Sequence, residues 1–254
     1  MIGNEIYNLL KEIFPICRSI TGEGNRETLK LIQKVIPLQI YEVPTGYQAY
    51  DWEIPEEWNV NDAYVLDPDG NKVIDFKKHN LHLVGYSVPV DKEISLEELQ
   101  AHLYSIPDKP DAIPYVTSYY EKKWGFCLKH KDREKLKDGV YKVFIDSKLE
   151  KGSMTYGELI IPGKTKEEIF LTTYICHPSM ANNEASGPAV ATFLAKWILQ
   201  KKRKYTYRIV FAPETIGAVM YISKNYDALV NNVAAGFNIT CVGDNNNLSF
   251  LPSR

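Results

Sequence analysis

Thr172-Thr173-Tyr174-Ile175-Cys176-His177-Pro178-Ser179-Met180-Ala181-Asn182-Asn183-Glu184-Ala185-Ser186-Gly187 is the stretch on which the fold turns. Residues Ile169 to Cys176 form an apolar run suited to a buried strand. A polar loop follows, then a helix from Pro188 to Leu199 that is apolar nearly all round. Pro188 fits only near a helix's first turn, where backbone N–H groups have no intrahelical partner. A second buried strand, Tyr207 to Ala212, then leads into Pro213-Glu214-Thr215-Ile216-Gly217. The usual right-handed crossover makes the two strands parallel, so His177 and Glu214 leave the same sheet edge, where α/β sheets bind ligands. An imidazole and carboxylates at one crevice suit a zinc site with a general base. The same residues also suit plain structure: a hydrogen-bonded histidine, an Asn182 or Asn183 helix cap, and a solvated Glu214.

Outward from this stretch, Met154 to Ile161 reads as a strand, Ala218 to Val230 as a helix and Gly236 to Val242 as a strand. Strands alternating with helices predict an α/β fold with a largely parallel sheet. At the other end, Ile2, Ile6, Leu9, Leu10 and Ile13 share a helical stripe, and Asn25 is placed to cap a second helix running toward Ile36. Between about 51 and 155 the helical period gives way to aromatics, prolines and short alternating runs. Ala63 to Leu66 and Lys72 to Phe76 flank the turn Asp67-Pro68-Asp69-Gly70, and Leu81 to Val84 and Tyr141 to Ile145 also read as strands. Ser95 and Glu98 form a capping-box pattern at a helix from Leu96 to Leu103. The expected organisation is an α/β domain of residues 1–50 and 156–254 with a β-rich module, 51–155, inserted in it.

Composition narrows the function classes. The chain has 254 residues, 44% hydrophobic and 24% charged, with a net charge of −2. This excludes disorder as the main state and argues against nucleic-acid or anionic-membrane partners. Cys17, Cys127, Cys176 and Cys241 are scattered and form no disulfide framework or zinc knuckle. The acidic, amphipathic start is not a signal peptide, and no apolar run reaches membrane-spanning length. The expectation is a cytoplasmic protein with reduced thiols.

The runs TTYICHPSMANNEASGP, RIVFAPETIG and FNITCVGD resemble a family of bacterial aminopeptidase-like proteins often labelled with polysaccharide biosynthesis, whose core looks like the zinc-dependent exopeptidase fold. CRSITGEGNRETL, DWEIPEEW and SIPDKPDAIPYVTSYYEKKWGFC are similar to the same family, so the resemblance covers nearly the whole chain. It implies a three-layer α/β sandwich around a mostly parallel mixed sheet, interrupted by the β-rich module. It also implies a site, residue by residue. His177 matches the first metal histidine, but Ser179 stands where the family's orienting aspartate would be. Asn183 falls at an aspartate that bridges two metals, which makes Glu184 the better local ligand. Glu214 matches the general base, whereas Thr215 and Thr240 replace carboxylates. The resemblance thus implies one zinc rather than two, held by His177, Glu184 or Asn183 and one further residue, with Glu214 deprotonating a water. In the family that further residue is a histidine downstream of the part matching Gly236 to Asp244. The sequence up to Arg254 has none there, so the site is expected to be C-terminally incomplete.

These readings lead to a zinc-dependent aminopeptidase-like hydrolase of an amide bond in a small peptide, amino-acyl or amino-sugar-linked substrate, with surface-polysaccharide metabolism as the setting the resemblance suggests. The substitutions at Ser179, Asn183, Thr215 and Thr240 support the alternative: a binding or scaffold protein that keeps the architecture without its chemistry, or an inactive fragment of the enzyme. Arg18, Ser19, Thr21 and Glu23 lie in a Gly-containing loop that either helps bind an anionic or amine group of the substrate or simply joins two helices. Trp52, Trp58, Tyr119, Tyr120 and Trp124 suit core packing of the β-rich module or a sugar platform.

Overall fold

The computed structural model describes residues 2–246 and 249–252; Arg254, the expected incomplete end, lies outside them. The chain forms two compact units, one made of the segments up to Ile54 and from Ser153 onward, the other of Pro55–Gly152.

The first unit starts with α1 (Ile2–Ile13) and α2 (Glu23–Gln33), followed by β1 (Gln39–Pro44) and a small ribbon of β2 (Gln48–Ala49) and β3 (Trp52–Glu53). Leu9 and Ile13 of α1 pack against Ala185, Ala189 and Phe193. Asn25 does not cap α2 from outside. The helix begins at Glu23, and Asn25 is buried in its first turn, donating from Nδ2 to Ser19 O at 2.6 Å. Gly24 permits this tight entry, because a Cβ there would lie 2.1 Å from Cys17 O.

The second unit contains β4 (Glu57–Leu66), β5 (Lys72–Asp75), β6 (Val90–Ser95), α3 (Leu96–Gln100), β7 (Leu103–Tyr104), β8 (Phe126–Cys127), α4 (His130–Arg133) and β9 (Val140–Glu150). Its four-stranded sheet, ordered β5-β4-β9-β6, is antiparallel throughout. Asp67 builds the β4–β5 turn by accepting from the N–H groups of Asp69 and Asn71 at 3.0 and 2.8 Å, and Gly70 supplies a φ of +83°. Ser95 caps α3, but the Glu98 carboxylate pairs with Lys92, so the expected capping box is half formed. The expected strand at Leu81 to Val84 begins instead as a 3₁₀ turn, Asn80–His82, because the His79 ring accepts from Leu81 N and curls the backbone. Trp58 is buried, stacked on Tyr86 and donating to Ser87 O, which makes it core.

The chain returns to the first unit through β10 (Ser153–Ile161), β11 (Glu168–Tyr174), α5 (Ser186–Leu199), β12 (Thr206–Ala212), α6 (Ile216–Asn232) and β13 (Val233–Asn238). The sheet order is β1-β10-β12-β11-β13. β1–β10 and β10–β12 pair antiparallel, whereas β12–β11 and β11–β13 pair parallel. The expected mostly parallel sheet is therefore corrected to an evenly mixed one. The cause is connectivity: only β11-α5-β12-α6-β13 alternates strand with helix, and the short link from β10 to β11 leaves no room for a crossover. β13 also starts three residues earlier than expected and stops at Asn238, beyond which Val242 N turns away to Ser186 Oγ.

Period-two alternation sorts the sheet's faces. Leu159, Ile161, Leu171, Ile209 and Phe211 point to one side, where they meet Leu29 and Ile32 of α2 and Ala191, Ala195 and Ile198 of α5. On the opposite side, Tyr221 of α6 stacks on Phe170 at 6.0 Å and accepts from Arg208 Nη1 at 3.0 Å. Arg208 grips Glu168 with two bonds of 2.6 and 2.9 Å and reaches Glu158 at 2.8 Å. All three side chains are almost wholly enclosed. Arg208→Leu leaves two glutamates facing each other without a cation. The expected result is a loss of ~3–5 kcal/mol of stability, read as a lower urea midpoint; Tyr221→Phe should cost about 1 kcal/mol.

Candidate active site

β11 and β12 run side by side in parallel, with Tyr174 beside Ala212, and Ile175 N extends the ladder to Ala212 O. Beyond this last rung the chain segments diverge, one toward α5 and the other toward α6, which cover opposite faces. Such divergence opens a crevice at the strands' carboxyl ends. His177 enters it from one side and Glu214 from the other, with His177 Nε2 3.4 Å from Glu214 Oε2. Both loops carry unusual backbone: Ser179 has φ 46° and Thr215 φ 56°, positive values uncommon outside glycine, and the β-branched Thr215 adopts one only when its surroundings enforce it.

The loop after His177 enters α5 through a π-helical turn, Ala181–Ala185, in which Ala185 N bonds to Met180 O. That turn aims Glu184 back at His177. Glu184 Oε1 accepts from the His177 backbone N–H at 2.9 Å, and Oε2 lies 2.7 Å from Nδ1. Its side chain has no solvent exposure. Because a carboxylate only accepts, Nδ1 carries a proton donated to Glu184, and His177 presents Nε2 toward Glu214. Ser179, at the expected orienting position, instead donates to Phe14 O. The orienting carboxylate that the sequence reading missed therefore comes from Glu184. Its placement depends on the π turn, for which the sequence carries no recognisable signal.

The remaining singled-out residues lie as follows. Asn183 is exposed at the rim, with Nδ2 3.4 Å from Tyr174 OH and its carbonyl accepting from Thr240 Oγ1 at 3.2 Å. Tyr174 hydrogen-bonds Thr240 and meets the His177 ring edge-on at 5.6 Å. Arg18, Ser19 and Thr21 are buried, so the structure gives them no surface to offer a substrate. Glu23 is exposed but on α2, paired with Arg26 and Lys30. Arg18 Nη2 donates to His177 O at 2.8 Å and Nη1 to Ile13 O. Burial pulls its guanidinium below its ordinary pKa, and Glu184 is the foremost charge opposing that change.

Cys176, His177 and Glu184 place potential ligand atoms within 4.8 Å of one another. This trio fits a metal poorly. Burial, reinforced by Glu184, holds the Cys176 thiol well above its ordinary pKa, and its sulfur already accepts from Glu214 N at 3.2 Å. Both Glu184 oxygens are engaged by His177. The outward-facing His177 Nε2 fits better: an imidazole with a carboxylate behind its other nitrogen is a common zinc-ligand arrangement.

The fold defines a class. BSAP, a zinc aminopeptidase from Bacillus subtilis, matches with a TM-score of 0.63 at 11% identity over 94% of this chain and 69% of that one. A peptidase M28 precursor from Shewanella amazonensis matches with a TM-score of 0.58 at 14% identity, over 91% of this chain and 69% of that one. Both likenesses concern the α/β fold alone. At closer range, residues 7–254 match the family described as "Domain of unknown function (DUF4910)", and the chain belongs to that family. A Clostridium acetobutylicum protein named "Putative polysaccharide biosynthesis protein with aminopeptidase-like domain" is 54% identical over 242 residues, 95% of this chain and 56% of that protein. A crystal structure of a "putative peptidase" from the same organism gives a TM-score of 0.94 at 55% identity, covering 95% of this chain and 57% of that one. The chain thus spans little more than half the length of these relatives, and the aminopeptidase-like resemblance seen in its motifs is shown.

Thiol chemistry tests the site's burial. Burial raises Cys17 and Cys127 to about 12 and Cys176 well above its ordinary value, whereas Cys241 is exposed. Iodoacetamide at pH 8 should therefore modify Cys241 in the native protein and the other three only after denaturation, as read by peptide mass spectrometry.

Proposed function

We propose that this chain contributes part of the catalytic centre of an aminopeptidase-like amide hydrolase acting on a small peptide, amino-acyl or amino-sugar-linked substrate. The observation that carries the reading is the oriented imidazole: Nδ1 of His177 is held by buried Glu184, and Nε2 faces half-exposed Glu214 across a strand-end crevice. In this reading residues 51–155 are a module inserted into the α/β domain of 1–50 and 156–254, whose helix–sheet–helix layering is that of the exopeptidases. The name of the C. acetobutylicum relative supports a place in polysaccharide biosynthesis. Among the described residues no helix is long and apolar enough to cross a membrane.

Glu214, outside the enclosed pocket that holds Glu184, is placed to take a proton from an attacking water and return it to the departing amine. Glu184 fixes the imidazole's direction and tautomer. One zinc ion would be held by His177 through Nε2 and by the Asn183 amide oxygen, with a further ligand from outside the described residues, since catalytic zinc ordinarily takes three protein ligands. When bound, zinc supplies positive charge that polarises the scissile carbonyl. A second reading, a binding or scaffold protein, is favoured by the mutual hydrogen bonding of Asn183, Tyr174 and Thr240, which closes part of the rim with neutral groups.

Assays of the whole protein on a panel of aminoacyl amides separate the two. The hydrolase reading expects about one zinc per chain, lost in His177→Ala, and a kcat that falls by ~10²–10⁴ in Glu214→Gln at unchanged melting temperature. Wild-type protein that hydrolyses no amide with zinc supplied, or Glu214→Gln as active as wild type, overturns it.

A further inference from the structure

We infer that Arg18 is a positioning residue of this site: its buried guanidinium, bonded to the carbonyls of Ile13 and His177, keeps Glu184 clamped on His177 and thereby keeps the imidazole Nε2 turned toward Glu214. The inference rests on the reading of His177 as the active imidazole, but it concerns a geometry that is measurable without turnover.

Arg18 lies between α1 and α2, 159 residues before His177, and is 1% exposed. Its Nη1 and Nη2 donate to carbonyls, but its Nε–H finds no partner among the described residues, so hydrogen bonding only partly offsets the burial of so polar a group. Glu184 adds an opposing charge. A carboxylate without solvent exposure needs positive charge in its surroundings, and Glu184 is the foremost charge partner of Arg18. The two residues hold His177 through the peptide groups on either side of its Cα: Arg18 binds its C=O, and Glu184 binds its N–H and its ring. Glu184 has no oxygen left over, so any loss of its charge or position is transmitted directly to the ring.

The tautomer of His177 is the readout. Metal-free whole protein is labelled with ¹⁵N-histidine, and the His177 ring signals are identified by their loss in His177→Gln. Wild type should show Nδ1–H with Nε2 unprotonated. Glu184→Gln should invert this to Nε2–H, because the glutamine NH₂ donates to Nδ1 while its oxygen keeps the backbone N–H. Arg18→Met should give a mixture of tautomers. Its loss of melting temperature and that of Glu184→Gln should sum to more than the loss in the double variant, since removing both charges leaves neither unpaired. Arg18→Lys, which keeps the charge and one carbonyl bond, should fold and retain Nδ1–H even if Arg18→Met does not fold. A pure Nδ1–H signal in folded Arg18→Met, additive stability losses, or a mixed tautomer in Arg18→Lys overturns the inference. Protein with the expected tautomers but no amide hydrolysis would overturn the hydrolase reading alone.

Discussion

The parallel pairing of β11 with β12 is the constraint from which the rest of the first unit follows. Once these strands run side by side, right-handed crossovers send α5 to one face and α6 to the other, and the loops leaving adjacent strand ends must separate. The crevice is a product of that separation. It requires no flexible lid or long loop, and its two walls are held by ladder bonds down to Ile175. Residues at positions 177 and 214 therefore face each other because of backbone topology, whatever chemistry they carry.

The unit uses buried charge in two contrasting ways. On the α6 face Arg208 is saturated, with Glu168, Glu158 and Tyr221 all hydrogen-bonded to it in a closed group. On the other, Arg18 bonds only carbonyls, and the carboxylate it balances is turned to a histidine. The first arrangement ties strands to a helix. The second directs an outward-facing imidazole, which is the difference expected between charges that tie elements together and charges that orient a single ring.

Much of this was legible because periodicity and turn chemistry act locally. The strand expected over Ile169 to Cys176 and found at Glu168–Tyr174, the apolar helix after Pro188 and the Asp67 to Gly70 turn follow from residue pattern, and the chain's placement of His177 and Glu214 at one edge follows from handedness. What was not legible depends on non-local geometry. Counting alternating elements does not reveal that β10 lies between β1 and β12 and makes half the pairings antiparallel. Nor does residue type reveal that Glu184 turns inward to the His177 backbone, or that the polar loop containing Arg18, Ser19 and Thr21 is interior. Polar residues near glycines ordinarily signal surface; here the arginine is interior and bonds the carbonyls of Ile13 and His177.

The π turn at Ala181–Ala185 has a consequence for sequence length. A π turn holds one residue more than an α turn, and each residue turns a helix by about 100°. Loss of Ala181, Asn182 or Asn183 would let the segment relax into regular α-helix and swing the Glu184 side chain away from His177, with every remaining side chain otherwise acceptable. Natural variation across this site should thus be tolerant of changes in residue identity at Ala181 and intolerant of one-residue deletions, so that the spacing between histidine and glutamate, rather than the composition of the residues between them, is what descent must preserve.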